Sequence, residues 1–185
     1  MVAAQLRLRN FYIYEDLATF PEDGKRREIL DGDLIVNPAP ILKHQRVSRN
    51  LQRILDGHVE RTGVGELFSA PVDVRLGDDV FEPDLVVVLK DSRARLTRAF
   101  IEGAPDLVVE ILSPSTEEWD RGRKSAAYAR GGVREYWILD PERRQLEQFT
   151  LQEGALVRVG LFGADTLTTA LLPGLQVDLS RVWAD

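Results

Sequence analysis

Glu110 is the residue whose neighbours least suit its chemistry. It lies in Leu107-Val108-Val109-Glu110-Ile111-Leu112, where every other member belongs in a core. A carboxylate buried there costs several kcal/mol unless it is paired, protonated or bound to a cation. The competing reading is a strand-end Glu facing solvent or an arginine. Asp84 is the second candidate. It opens Leu85-Val86-Val87-Val88-Leu89, behind Pro83, whose ring fixes φ and directs the chain into a strand. Taken alone, Pro-Asp is turn punctuation, and Pro105-Asp106 opens the next strand in the same way. Asp106 shares a strand face with Glu110 but stands roughly 13 Å from it, too far for one ion. A cation held by Glu110 therefore needs a carboxylate from a neighbouring strand, and Asp84 is the natural supplier. Lys124 is the third candidate. Asp120, Lys124 and Tyr128 recur at four-residue steps and line one helix face. An ordinary solvated Asp–Lys pair has the same spacing and is worth a few tenths of a kcal/mol. Together, two oxygen donors and a point-charge ammonium suit Mg²⁺ or Mn²⁺ at a phosphodiester. The cation activates water, and Lys124 stabilises the developing charge.

The rest of the sequence excludes other chemistries. There is no Cys, so thiolate metal sites, Cys nucleophiles and disulfides are absent. His44 and His58 stand 14 residues apart on one predicted helix, which is not zinc-ligand spacing. His44 reads most simply as a surface or capping residue. No P-loop, dinucleotide glycine fingerprint or nucleophilic serine motif occurs. The net charge of −6 argues against a broadly cationic nucleic-acid coat and does not exclude an enzyme that acts on nucleic acid through a local patch. Twenty of the 24 basic residues are Arg, which suits phosphate recognition and ion-pair networks.

These residues need elements to place them. With 185 residues, 44% of them hydrophobic, the chain reads as one domain over 1–185. Leu17 to Pro21 reads as a short helical or turn segment. Asp31-Gly32 between two apolar runs predicts a hairpin at the edge of the domain. Val47, Leu51, Ile54, Leu55 and Val59 predict a helix from Ile41 to Arg61, ended by Gly63 and Gly65. Strands are expected from Glu66 to Leu76 and Val80 to Leu89, and a loop with a helical turn over 91–104. Leu107 to Leu112 reads as a central strand covered on both faces. A helix capped by Ser115, with Glu118 closing the box, runs to about Arg130, and Gly131-Gly132 stops it. A strand from Glu135 to Asp140 and a closing hairpin, Leu146 to Leu151 and Leu156 to Phe162, complete an α/β or α+β order with a mixed sheet. The longest apolar runs are far shorter than the roughly 20 residues that span a bilayer, so no membrane segment and a cytoplasmic protein are expected.

At these residues the sequence resembles the PD-(D/E)XK superfamily of restriction-endonuclease-like nucleases, and more closely its bacterial branch called the Uma family. The resemblance is carried by Glu28-Ile29-Leu30-Asp31-Gly32, His44 early in a helix, and Pro83-Asp84-Leu85-Val86-Val87-Val88. Its strongest stretch is Pro105-Asp106-Leu107-Val108-Val109-Glu110-Ile111-Leu112-Ser113-Pro114-Ser115, continuing through Asp120, Lys124, Tyr128 and Gly132 to Asp140. It implies a restriction-endonuclease-like mixed β-sheet flanked by helices, with extra hairpins. It also implies Asp84 and Glu110 as Mg²⁺ or Mn²⁺ ligands and the Ile111 carbonyl as a further one. In the superfamily pattern a lysine sits two residues after the acid. Leu112 stands there, and the resemblance moves the role to Lys124. Asp120 and Tyr128 become supporting residues, while Glu28 and His44 border the cleft.

Two readings follow. One is a metal-dependent nuclease acting on nucleic acid, most simply DNA. The other is a catalytically silent relative that binds nucleic acid or protein, favoured by Leu112 and by the acidic charge. A nuclease needs a local cationic patch. Arg46, Arg49 and Arg53 on the first long helix and Arg121 and Arg123 on the second are the candidates. A homodimer through the closing hairpin and the Trp183 tail is expected on the frequency of such assemblies.

Overall fold

The computed structural model describes residues 11–113 and 116–184. A short helix, α1 (Tyr14–Leu17), precedes a hairpin of β1 (Arg26–Leu30) and β2 (Asp33–Asn37). The turn falls on Asp31 and Gly32, with φ of 51° and 81°. A short polar residue and a glycine tolerate that left-handed region. Helix α2 (Leu42–Thr62) buries Val47, Leu51, Leu55 and Val59 as a stripe of four-residue steps. It stops at Gly63, φ 58°.

The strand reading beyond it needs revision. Instead of two long strands there are four: β3 (Gly65–Ser69), β4 (Asp73–Leu76), β5 (Asp79–Phe81) and β6 (Leu85–Leu89). The breaks fall at Pro71 and Pro83, which have no N–H to donate to a ladder. The segment over 91–104 holds no helical turn. It forms β7 (Arg95–Leu96) and β8 (Phe100–Glu102), and Ile101 pairs with Val74 of β4 in parallel register. That partner lies 27 residues away in sequence, so local composition carried no sign of it.

Strand β9 (Leu107–Ile111) leads into α3 (Glu117–Trp119), a π-helical turn (Asp120–Lys124) and α4 (Ser125–Gly131). The Ser115 cap lies outside the described residues; Thr116 occupies the cap position, and its side chain makes no capping bond to the helix. Gly132, φ 93°, ends α4. Then come β10 (Glu135–Asp140), β11 (Gln145–Gln152), β12 (Ala155–Phe162), β13 (Thr166–Leu167), β14 (Val177–Asp178) and α5 (Leu179–Val182).

The strands make two six-stranded sheets, β2-β1-β5-β4-β8-β7 and β12-β11-β10-β9-β6-β3, with β13-β14 apart. In the second sheet β9 and β10 run parallel, joined through the helical segment, while β9 and β6 run antiparallel. Alternate side chains divide this sheet. Leu85, Val87, Leu107, Val109 and Leu139 pack with α2, and Val86, Val88, Val108, Tyr136 and Ile138 pack with α4 and the first sheet. Every residue of β6, β9 and β10 is buried. Trp183 belongs to this chain's own core and donates Nε1–H to the Gly163 carbonyl at 2.6 Å, so it is not part of a free surface. Among the described residues no helix is long and apolar enough to cross a membrane.

Candidate active site

The antiparallel register of β6 and β9 pairs Leu85 with Val109 and Val86 with Val108. One further step brings Asp84 opposite Glu110. Both are buried, on the face that looks toward α4 and the first sheet. The structure also brings Glu28, His44, Ile111, Asp120, Lys124 and Tyr128 to the same place.

Lys124 is the centre of the cluster. Only 2% exposed, its Nζ lies 2.8 Å from Glu28 Oε2, 3.1 Å from Glu110 Oε1 and 3.2 Å from Asp120 Oδ1. The solvated-pair reading of Asp120 and Lys124 is therefore wrong. The π-helical turn, a form frequent at functional sites, spans both residues. One turn on, the Tyr128 hydroxyl donates to Glu110 Oε1 at 2.7 Å.

Asp84 is held from three sides. Arg26 Nη1 donates to Oδ1 at 2.9 Å, and the Ile111 N–H donates to Oδ2 at 2.8 Å. His44 Nε2 lies 3.1 Å from Oδ2, so that nitrogen carries the shared proton. His44 Nδ1 is buried without a hydrogen-bond partner. His44 is thus neither a surface nor a capping residue. Glu28 Oε1 accepts from the Glu82 N–H at 2.9 Å, and Oε2 accepts from Asn37 Nδ2 at 2.7 Å.

The charges do not balance. Five buried carboxylates, Glu28, Glu82, Asp84, Glu110 and Asp120, face two permanent cations, Arg26 and Lys124. One ammonium cannot neutralise three carboxylates. Burial works against ionised Glu28, yet Lys124, the Glu82 N–H and Arg26 hold its carboxyl below the usual range. Glu110 receives less: burial pushes it up to about 8 against the pull of Lys124, and Asp120, Glu28 and Asp84 add to the rise. Burial also raises Asp120, and pushes Glu82 up to about 7 despite Arg26. Burial opposes ionised Asp84 too, but His44, Arg26 and the Ile111 N–H hold it low. Lys124 stays protonated: its carboxylates outweigh burial and raise its pKa well above the ordinary value.

A cavity of about 270 Å³ opens onto Asp84, Glu110, Ile111 and Lys124. Among the described residues no three His, Asp or Glu side chains are already set as a metal-ligand group. The oxygens that could take an ion point at Arg26, His44, Lys124 and Tyr128 instead. The donor chemistry still fits a hard divalent cation, because the donors are carboxylate oxygens and their negative charge is in excess.

Sequence reasoning missed Arg26, Asn37 and Glu82. Strand period two offered a signal for Arg26, which shares a face with Glu28. Nothing local marked Asn37. Of the predicted cationic candidates, Arg121 is engaged with Glu117 and Glu147, and Arg123 with Asp31 and Asp33. Asp106 sits apart from the cluster, accepting from the Leu89 N–H and Arg134.

Comparison with known proteins agrees with this fold. Residues 13–180 match the model of a family, Uma2, described as "Putative restriction endonuclease". An uncharacterized protein from Synechocystis sp. is 30% identical over 117 residues, 62% of this chain and 60% of that protein. The match thus spans less than two thirds of that relative's length. A solved structure titled as "a putative nuclease belonging to DUF820" from Anabaena variabilis has a TM-score of 0.77 at 18% identity, covering 93% of this chain and 97% of that one. At that identity the likeness concerns the fold, and it is the mixed α/β fold expected from the sequence.

Proposed function

The chain belongs to the Uma2 family, and on that premise we propose that it is a divalent-cation-dependent nuclease that hydrolyses phosphodiester bonds in DNA. The observation that carries this reading is the convergence of Asp84, Glu110 and Lys124 on one cavity with carboxylates in excess. When bound, Mg²⁺ or Mn²⁺ supplies Lewis-acid polarisation of the phosphodiester and lowers the pKa of water. Asp84 and Glu110 would hold it, with the Ile111 carbonyl beside them. Asp84 is ionised and ready at neutral pH. Glu110 gives up its proton on binding. Lys124 keeps its ammonium and stabilises charge developing on the phosphate oxygens. Tyr128 fixes the Glu110 carboxylate, and His44 fixes Asp84. Glu28 and Asp120 hold the Lys124 ammonium in place.

Supercoiled plasmid incubated with the protein and Mg²⁺ tests this directly. Nicking or linearisation is expected, is stopped by EDTA, and is lost in Asp84→Asn. Cleavage that survives both would remove the reading.

The Glu110 carboxyl also predicts the pH dependence of cation binding. Below about pH 8 the group carries a proton that a cation must displace. Apparent Mn²⁺ affinity should therefore rise roughly tenfold from about pH 6.5 to 7.5 and level off above about 8. Calorimetry in two buffers of different ionisation enthalpy counts the released proton; affinity independent of pH contradicts the assignment.

A second reading, a catalytically silent binding module, is favoured by one observation. The Asp84 and Glu110 oxygens are already engaged by side chains, and Leu112 is buried in the apolar cluster. Cation-dependent cleavage that disappears with Glu110 eliminates it.

A further inference from the structure

A cavity of about 680 Å³ lies away from the carboxylate cluster. It lies between the outer face of α2 and the turn and helix at the C-terminal end, and Arg49, Arg53, Arg61 and Arg181 line it. Among the described residues no Asp or Glu lines it. We propose that this groove is the track for the sugar–phosphate backbone of a nucleic-acid strand, leading it along α2 to the candidate active site. The inference rests on the nuclease reading for its destination, not for its charge.

Continuity is the first support. A second cavity, of about 330 Å³, is lined by Arg26, His44, Glu82 and Asp84 together with Arg49. Arg49 thus borders both cavities, which places them side by side along α2 between the carboxylates and Arg61. From His44 to Arg61 the helix rises about 26 Å at 1.5 Å per residue. At roughly 3.4 Å per nucleotide of one strand, that is the reach of about seven phosphates.

Unused charge is the second support. Nine of the described arginines are spent on carboxylates in this acidic chain, among them Arg26, Arg95, Arg121, Arg123, Arg130 and Arg134. Among the described residues Arg49, Arg53 and Arg61 have none, and all three are exposed. Two of them are nevertheless held. Asn50 Oδ1 accepts from Arg49 Nε at 3.3 Å, while Asn50 Nδ2 donates to the Val182 and Ala184 carbonyls at 3.2 and 2.9 Å. That side chain both aims Arg49 and ties the C-terminal wall to α2. His58 Nδ1 lies 3.2 Å from Arg61 Nη2. Burial and the adjacent Arg61 lower the His58 pKa, so the ring stays neutral and can accept from the guanidinium. Guanidinium groups oriented in advance suit phosphate oxygens.

Gly57 is the third support. It lies in the middle of α2, where glycine costs roughly 0.5–1 kcal/mol relative to Ala. A Cβ placed there would meet nothing within 4 Å, so packing does not require the glycine. It lines the groove between Arg53 and Arg61, and the missing side chain leaves the floor open to a close-lying backbone.

The test is binding of a fluorescein-labelled 30-base-pair DNA duplex by anisotropy in EDTA, where cleavage cannot occur. Removing two phosphate contacts in Arg53→Ala/Arg61→Ala should weaken binding roughly 60-fold at 0.1 M salt and reduce the slope of log K against log salt by about 2. Arg93→Ala/Arg98→Ala removes the same charge from an exposed segment elsewhere and should leave affinity within about twofold of wild type. Gly57→Glu should keep the helix folded by circular dichroism and abolish binding. No duplex binding by the wild-type protein, or equal losses in the two double variants, overturns the track. The nuclease reading fails separately. Groove-dependent binding without Mg²⁺-dependent cleavage leaves the track standing, whereas cleavage by a protein whose groove variants bind normally removes the track alone.

Discussion

Glu110→Gln should abolish cation-dependent cleavage and, in the same molecule, make the metal-free protein more stable. The loss of rate is expected to be about 10³-fold or more, because the substitution removes a ligand charge from the centre that stabilises the transition state. The gain in stability follows from linkage. In the folded chain the Glu110 carboxyl is pushed up to about 8 from an ordinary 4.5. A carboxyl with a raised folded pKa binds more protons folded than unfolded between those values, so stability falls as pH rises through that window. The penalty is absent below about pH 4.5 and fully present above about 8. Gln does not titrate, and its carbonyl oxygen still accepts from Lys124 and Tyr128. The variant should therefore match wild type near pH 4.5 and exceed it by a few kcal/mol near pH 8 in EDTA. Urea unfolding at the two pH values, beside plasmid cleavage in Mg²⁺, reads both effects. A variant that is less stable at pH 8, or that still cleaves, would make Glu110 a structural partner of Lys124 and nothing more.

This opposition of stability and activity is why Glu110 was legible in the sequence. A carboxylate amid core-forming neighbours breaks the local pattern, and such breaks mark sites. Asp84 was legible by a weaker route, since the spacing excluded Asp106 and a neighbouring strand had to supply the second acid. The four-residue spacing of Asp120, Lys124 and Tyr128 put them on one face, but periodicity cannot say which way a face points. The structure turns it inward. Arg26 and Asn37 escaped because the β1–β2 hairpin reads as an edge ribbon, and Glu82 because it follows β5, whose pairing with β1 spans 51 residues and buries both. The strand at Phe100–Glu102 escaped for the same reason: its pairing with β4 is non-local. What was legible was chemistry out of place. What was not was the set of partners that tertiary pairing brings to it.

Lys124→Met gives the second large effect, with the opposite sign. It leaves Glu28, Glu110 and Asp120 buried around an apolar side chain of similar length. Breaking a buried pair by removing one partner costs about 3–5 kcal/mol, most of it the uncompensated charge that remains. The loss should depend on pH. In the wild-type protein the raised Lys124 pKa makes its contribution fully present below its ordinary value of 10.5, so nothing is lost from that side between pH 5 and 8. In the variant Glu28 loses the partner that holds its carboxyl low, and all three acids meet burial without an ammonium. Protonation relieves them as pH falls, so the deficit should be largest near pH 8 and shrink toward pH 5. Millimolar Mg²⁺ then separates a structural ion-pair network from a cation site. A bound ion stabilises the folded state by about 2.7 kcal/mol at a hundredfold excess over its dissociation constant. If the cluster is a cation site, Mg²⁺ should raise the melting temperature of Lys124→Met, and by more than it raises that of wild type, because the substitution removes the ammonium that competes with the ion for Glu28, Glu110 and Asp120. Cleavage should stay lost, since the group that stabilises phosphate charge is gone. A melting temperature indifferent to Mg²⁺ would mean that the carboxylates exist to hold Lys124, and the cation assignment at Asp84 and Glu110 would fall with it.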